Sequence, residues 1–239
     1  LFKHIELEIN TACDLACFGC DRFSDVTTAP NMTVEQVNKF LSESRELDWQ
    51  WKRVRLLGGE PTLHPQFEQM LRAVVAAMPD TFVQVLTNGN GKARQYLTLC
   101  KELGVSLHAE AKEKGVQPAW FNNTRIAPID RDPNVGELTP CAIFGGHGCG
   151  IGLTRHGYFL DGAGASVARV AGIDCGVREL RRVTLRNMLE QAKVLCRLCG
   201  HWNPPDGTVT KLVTETGQVT GPFWTEAIAG YRKHSLPVY

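Results

Sequence analysis

Apolar and polar positions alternate from His4 to Ile9, the pattern of a strand. Thr33 to Leu47 changes to helical spacing, with Val34, Val37, Phe40 and Leu41 on one face. Thr33 suits the N-cap, and Gln36 three residues on completes a capping box. Arg53 to Leu57 predicts a short strand that ends at Gly58-Gly59, and Gln66 to Met78 a helix stopped by Pro79. Phe82 to Leu86 predicts a third strand, ending at Thr87-Asn88-Gly89. Lys92 to Leu103 predicts a helix closed by Gly104, and Val105 to Ala109 a fourth strand. Strands alternating with helices indicate βαβ units and a parallel sheet. In such folds chemistry gathers at the C-terminal ends of the strands. The loops after the first three strands should therefore face one pocket.

Beyond Glu110 the alternation weakens. Arg125 to Ile129 predicts a fifth strand, Gly152 to Leu160 one arm of a hairpin, and Leu180 to Leu198 a helix. Gly and Cys become frequent after Thr139, which places a boundary near residue 138. The expected division is 1–138 and 139–239.

The 239 residues suit one large domain, or a main domain with a small appendage. The net charge of +1 argues against nucleic acid as a partner. No apolar run approaches the roughly 20 residues of a membrane span. The start does not read as a signal peptide, and its opening on Leu1 suggests that it is trimmed. A cytoplasmic location is expected. In that reducing compartment clustered thiols are read first as metal ligands or catalytic groups. There are nine, at positions 13, 17, 20, 100, 141, 149, 175, 196 and 199.

Cys13, Cys17 and Cys20 stand in a C-x3-C-x2-C run on the loop after the first strand. Three thiolates on one short loop can hold three irons of a [4Fe–4S] cube and leave the fourth open. An open position is what a catalytic metal needs. The other reading is a zinc site short of one ligand. Gly58-Gly59-Glu60-Pro61 and Thr87-Asn88-Gly89 would be only turns if they stood alone.

Taken together, the three motifs resemble the radical S-adenosylmethionine (SAM) superfamily over residues 3 to 109. The resemblance implies a partial (β/α) barrel of α/β class, with a [4Fe–4S] cluster on Cys13, Cys17 and Cys20. It implies SAM held by Gly58, Gly59, Glu60, Pro61, Thr87 and Asn88, with the Glu60 carboxylate beside the methionyl ammonium. Members often carry an aromatic residue before the last cysteine; here that position is Gly19, and Phe18 comes one earlier.

Cys196 and Cys199 form a C-x2-C pair at a predicted helix end. With Cys141 and Cys149 they could hold a second cluster or a zinc. This half resembles the twitch domain, a shortened SPASM domain with one auxiliary [4Fe–4S] cluster. Relatives tend to carry a cysteine near the position of Asp161. Either Cys141, Cys149, Cys196 and Cys199 form an all-thiolate site, which we favour, or Asp161 supplies oxygen or leaves an iron open. Cys175 and Cys100 read as packed thiols. His147, His156 and His201 lie among these residues, and His201 is a candidate to tune the second cluster.

Substrate contacts are expected from Trp120, Phe121, Asn122, Asn123, Arg125, Asp130 and Arg131, and from Glu8 and Asn10 on the first strand. No catalytic residue is identified. The compact size resembles the small radical SAM dehydrogenases that oxidise aminocyclitols. It implies hydrogen abstraction from a polar small molecule of sugar or cyclitol type, giving oxidation or epimerisation. An external electron donor of flavodoxin or ferredoxin type is implied as well. The alternatives are modification of a ribosomally made peptide, or a non-catalytic metal-binding scaffold that cleaves no SAM.

Overall fold

The computed structural model describes residues 2–109, 125–138, 141, 150–202 and 219–239. Trp120, Phe121, Asn122, Asn123, His147 and Cys149 lie outside the described residues.

Six strands form one sheet in the order β4-β3-β2-β1-β5-β6. The first four are β1 (His4–Glu8), β2 (Arg53–Leu57), β3 (Phe82–Thr87) and β4 (Ser106–Ala109). They lie side by side in chain order and parallel, as in a barrel wall. Among the described residues the wall is open, with β4 and β6 at its edges. The protein is thus α/β, as the alternation predicts.

β5 (Ile151–Thr154) and β6 (Gly157–Phe159) form a hairpin, so the stretch Gly152 to Leu160, expected to be one arm, holds both. β5 also pairs parallel with β1, so the sheet runs straight across the expected boundary at residue 138. Nothing in the local pattern of β5 shows which strand it joins; that pairing is non-local.

The helices α1 (Val34–Glu46) and α2 (Phe67–Ala77) cover the outer face. Their Val37, Phe40, Phe67, Met70, Leu71 and Val74 share one buried core with Ile5, Leu7, Val54, Leu56, Val83 and Val85. The Thr33–Gln36 capping box is present at the start of α1. Lys92 to Leu103 is not one helix: a 3-10 stretch, Gly91–Tyr96, precedes α3 (Leu97–Glu102). Cys100 on α3 is buried, as expected.

The predicted strand at Arg125 to Ile129 is instead a short helix, α4 (Pro128–Arg131). Pro128 sits at its first turn, where a missing N–H costs nothing. The Asp130 carboxylate accepts from the Ala127 N–H at 2.9 Å and from the Phe223 N–H at 2.9 Å. That joins α4 to α7 (Pro222–Gly230). Leu180 to Leu198 likewise divides into a 3-10 turn and α6 (Leu185–Leu195), with Cys196 as its C-cap.

On the inner face of the sheet β1 places Glu6 and Glu8, both buried. Glu8 is not free for a ligand: helix α5 (Gly162–Ala171) lies over it, with Arg169 forming an ion pair and Ser166 donating at 3.4 Å. The same Arg169 donates to the Arg22 carbonyl at 2.8 Å. Asn10 is buried and donates to the Glu60 carbonyl at 2.9 Å.

Removing one member of a buried pair strands the other charge, at a cost of about 3–5 kcal/mol. Arg169→Met should therefore lower the thermal midpoint sharply, and Glu8→Gln/Arg169→Met should recover much of the loss. Equal stability of Arg169→Met and the wild type in a thermal melt would refute this role.

Candidate active site

The ends of β1, β2 and β3 open into a cavity of about 430 Å³. Cys13, Cys17 and Cys20 line it together with Gly58, Gly59, Thr87 and Asn88. The loop that carries the thiols is tightly turned: Gly19 has φ 66° and Phe23 has φ 53°. Such a φ favours glycine, and the Phe23 backbone is strained there. Phe23 is held in place by packing. Its ring lies 4.6 Å from that of Trp224 on α7, centroid to centroid.

Arg125 completes the clamp. It pairs with Asp25 on the cysteine loop, and its guanidinium stands 5.1 Å from the centroid of the Phe18 ring. Arg125 and Asp130, expected near substrate, are thus occupied by the chain itself. Arg131 donates to the Ile126 carbonyl at 3.4 Å and feels the Asp130 charge. Phe18 is engaged by Arg125.

The glycines at the end of β2 serve the chain's own packing. A Cβ on Gly59 would stand 2.4 Å from the Ala12 carbonyl oxygen, and one on Gly58 2.0 Å from the Asn10 amide oxygen. Only glycine lets this strand end run against the start of the cysteine loop.

Glu60 and Pro61 do not line the cavity. The Glu60 carboxylate is fully buried and accepts from four donors. These are the Thr62 N–H (3.1 Å), the Thr62 hydroxyl (2.6 Å), the Thr87 hydroxyl (2.8 Å) and the Asn88 N–H (2.8 Å). Its acceptor capacity is spent inside the chain, where it fixes Thr87 and Asn88. Asn88 in turn donates to Asp14 on the cysteine loop at 2.6 Å and toward the Cys13 sulfur at 3.8 Å. The sequence motif marked Glu60 as important but did not show which way it faces.

The three thiols suit an iron–sulfur cluster by chemistry and by setting. Cys13 accepts from the Leu15 N–H at 3.4 Å as well as from Asn88. Such donors favour thiolate, and hydrogen bonds of this kind tune cluster sulfurs. Burial pushes the Cys13 thiol up against them. Burial, then the Asp21 charge, pushes Cys20 up to about 11. Among the described residues no group of three His, Cys, Asp or Glu closes round a single metal ion. A cube with iron at several corners is a larger body than one ion and spreads its thiolates accordingly.

A second thiol group lies behind the cavity. The Cys141 backbone stands beside the Cys196 thiol and the His201 backbone beside the Cys199 thiol, each favouring the thiolate. Burial, then the nearby Asp161, pushes Cys196 up to about 12, and the same two causes raise Cys199 well above the usual thiol range. Asp161 is buried as the N-cap of α5, accepting from the Gly164 N–H at 2.6 Å. Burial raises its pKa, opposed by that N–H and by Arg22. The structure thus brings Cys141, Cys196, Cys199 and Asp161 into one neighbourhood. Cys175 is elsewhere, on a surface cavity beside Arg178 and Glu190. His156 bonds the Pro237 carbonyl at 3.0 Å. His201 lines the main cavity, which its sequence position alone could not reveal.

A thiol with a raised pKa is protonated, and unreactive, below that value. In metal-free protein Cys20 should therefore be alkylated slowly at about pH 8, where a free thiol reacts readily, and faster as the pH climbs toward 10. Peptide mass mapping checks this; a rate at pH 8 equal to that of an unfolded thiol would contradict the buried setting.

The profile of the family described as "Radical SAM superfamily" matches residues 7–111. A search of curated proteins returns no match. Among solved structures, BtrN in complex with AdoMet and 2-DOIA is 25% identical, with 48% of this chain and 49% of that one covered and a TM-score of 0.40. BtrN in an open conformation is 16% identical over 68% of this chain and 70% of that one, with a TM-score of 0.42. Streptococcus suis SuiB bound to S-adenosylmethionine is 20% identical over 38% of this chain and 20% of that one, with a TM-score of 0.33. The match thus spans about half the length of the first of these structures. The matched segment, less than half of the chain, runs from the end of β1 through the cysteine loop to just past β4, and over it the chain is similar to the radical SAM domain.

Proposed function

We propose that the protein reductively cleaves SAM and uses the resulting radical to take a hydrogen atom from a polar small molecule of sugar or cyclitol type, giving oxidation or epimerisation. The observation that carries this reading is the shared cavity. The three thiols of one loop open into the same space as Gly58, Gly59, Thr87 and Asn88. The family profile supports it.

Cys13, Cys17 and Cys20 would hold the [4Fe–4S] cluster, which when bound would supply the electron that splits SAM into methionine and a 5′-deoxyadenosyl radical. The chain's own residues prepare that space. Gly58, Gly59, Thr87 and Asn88 form the wall that SAM would touch, and Glu60 with Pro61 holds that wall in place from behind. Leu57 and Leu86 supply dry surface deeper in the cavity. Excluding water there protects a reactive intermediate.

Cys141, Cys149, Cys196 and Cys199 are proposed to hold an auxiliary [4Fe–4S] cluster. The gathering of three of these thiols behind the cavity supports it. An electron donor of flavodoxin or ferredoxin type would reduce the first cluster. No described helix is long and apolar enough to cross a membrane.

The test is anaerobic reconstitution followed by dithionite and SAM. The expected products are 5′-deoxyadenosine and methionine, absent in Cys17→Ala. Iron analysis should give about eight irons per chain, falling to about four in Cys196→Ala. No 5′-deoxyadenosine from iron-loaded wild type would sink the radical reading, and four irons in the wild type would remove the auxiliary cluster.

A further inference from the structure

Below the thiols, the inner face of the sheet is layered. Parallel pairing sets Glu6 beside Arg55, Arg55 beside Gln84, and Gln84 beside Ser106. Side chains two residues apart share a face of a strand. One row up on the same face come Leu57, Leu86 and His108. Glu6, Arg55, Gln84 and all three of the upper row line the cavity. It therefore has a polar floor, an apolar layer of Leu57 and Leu86 above it, and thiols beyond.

The floor is held rigid. Arg55 donates through Nη1 to Glu6 at 3.1 Å and through Nε to Gln84 at 2.8 Å. Gln84 Nε2 reaches the Ser106 hydroxyl at 3.5 Å, and Arg22 takes the other Glu6 oxygen at 2.7 Å. Polar groups remain for a ligand. Among the described residues Arg55 Nη2 has no acceptor. The Nε2 of His201, which enters the cavity from the C-terminal half, is buried and without a partner. A buried polar atom left unpaired is costly, and a bound ligand removes that cost.

The charges around the cavity balance. Glu6 is met by Arg22 and Arg55, Asp21 by Arg22, and Asp25 by Arg125. No surplus of either sign is left to select a strongly charged ligand. Among the described residues no Phe, Tyr or Trp side chain lines the space. What the floor offers is a row of donors and acceptors on strands about 4.8 Å apart. That repeat is close to the separation of equatorial oxygens on alternate carbons of a saturated six-membered ring.

We propose that the row Glu6–Arg55–Gln84, braced by Ser106, is the substrate-recognition floor, and that it takes a neutral polyhydroxylated six-membered ring, a cyclitol or hexose. Arg55 Nη2 and the Gln84 amide read its hydroxyls, and His201 Nε2 adds a contact from the C-terminal half. This rests on the radical SAM reading above and names the residues that would select its substrate.

The test is calorimetric titration of anaerobically reconstituted, SAM-loaded protein with myo-inositol, an amino-substituted inositol and glucose, against glutamate and a short peptide as counter-probes. At least one ring polyol should bind, and the counter-probes should not. Gln84→Leu removes the central amide and should weaken polyol binding about tenfold, the loss of one or two hydrogen bonds. Gln84→Glu keeps the acceptor for Arg55 and adds a charge. It should shift preference toward the amino-substituted ring by about tenfold. Iron content and circular dichroism report the folding of each variant apart from binding. The proposal is overturned if no ring polyol binds the wild type, or if both folded variants bind as the wild type does. Formation of 5′-deoxyadenosine by the wild type separates the two readings. If it is absent while polyols bind, the radical function fails and the floor stands; if it is present without polyol binding, the floor alone fails.

Discussion

Two carboxylates on the inner face of one strand set the terms for the rest of this structure. Glu6 and Glu8 sit in the buried interior of an open α/β sheet, where a lone charge would be prohibitive. Glu6 is neutralised by Arg22 from the cysteine loop and Arg55 from β2, and Glu8 by Arg169 from α5. Each pair fastens one piece of chain to the sheet. Arg22 follows Cys20 by two residues, so pairing it with Glu6 also positions the thiol loop. Arg169 bonds the Arg22 carbonyl, so α5 and the loop are held by one connected set of contacts.

The site is built by both halves of the sequence. Arg125, Trp224 and His201 all come from beyond β4, yet each reaches the cysteine loop or its cavity. β5 adds itself to the sheet directly beside β1. Any weakening of these contacts would loosen the thiol loop as well as the fold. The strained backbone at Phe23 fits this view. A left-handed phenylalanine persists only where its surroundings over-determine it, here through the Trp224 ring and the Arg125–Asp25 pair.

Hydrogen bonding divides labour around the cavity in the same way. Glu60 stays behind the wall and spends its acceptors on Thr62, Thr87 and Asn88, which leaves the Asn88 side chain to bridge to the thiol loop. The wall is preorganised before any ligand arrives.

The sequence alone determined what depends on near neighbours. The strands at His4, Arg53, Phe82 and Ser106, the capping box at Thr33 and the C-x3-C-x2-C loop all follow from residues a few positions apart. The three strand-end motifs and their common pocket were legible for the same reason: parallel β/α units carry their loops to one end. Tertiary structure decided the rest. Arg125 to Ile129 reads as a strand by composition but becomes a helix through Pro128 and the Asp130 contacts to α7. Glu8 looked open to a ligand until Arg169, 161 residues away, closed over it. β5 joined β1 in the same sheet as the first four strands, and His201 arrived at the first cavity. Periodicity is set by the chain's own geometry, whereas the partner of a buried charge or an edge strand is chosen by what else must be buried beside it.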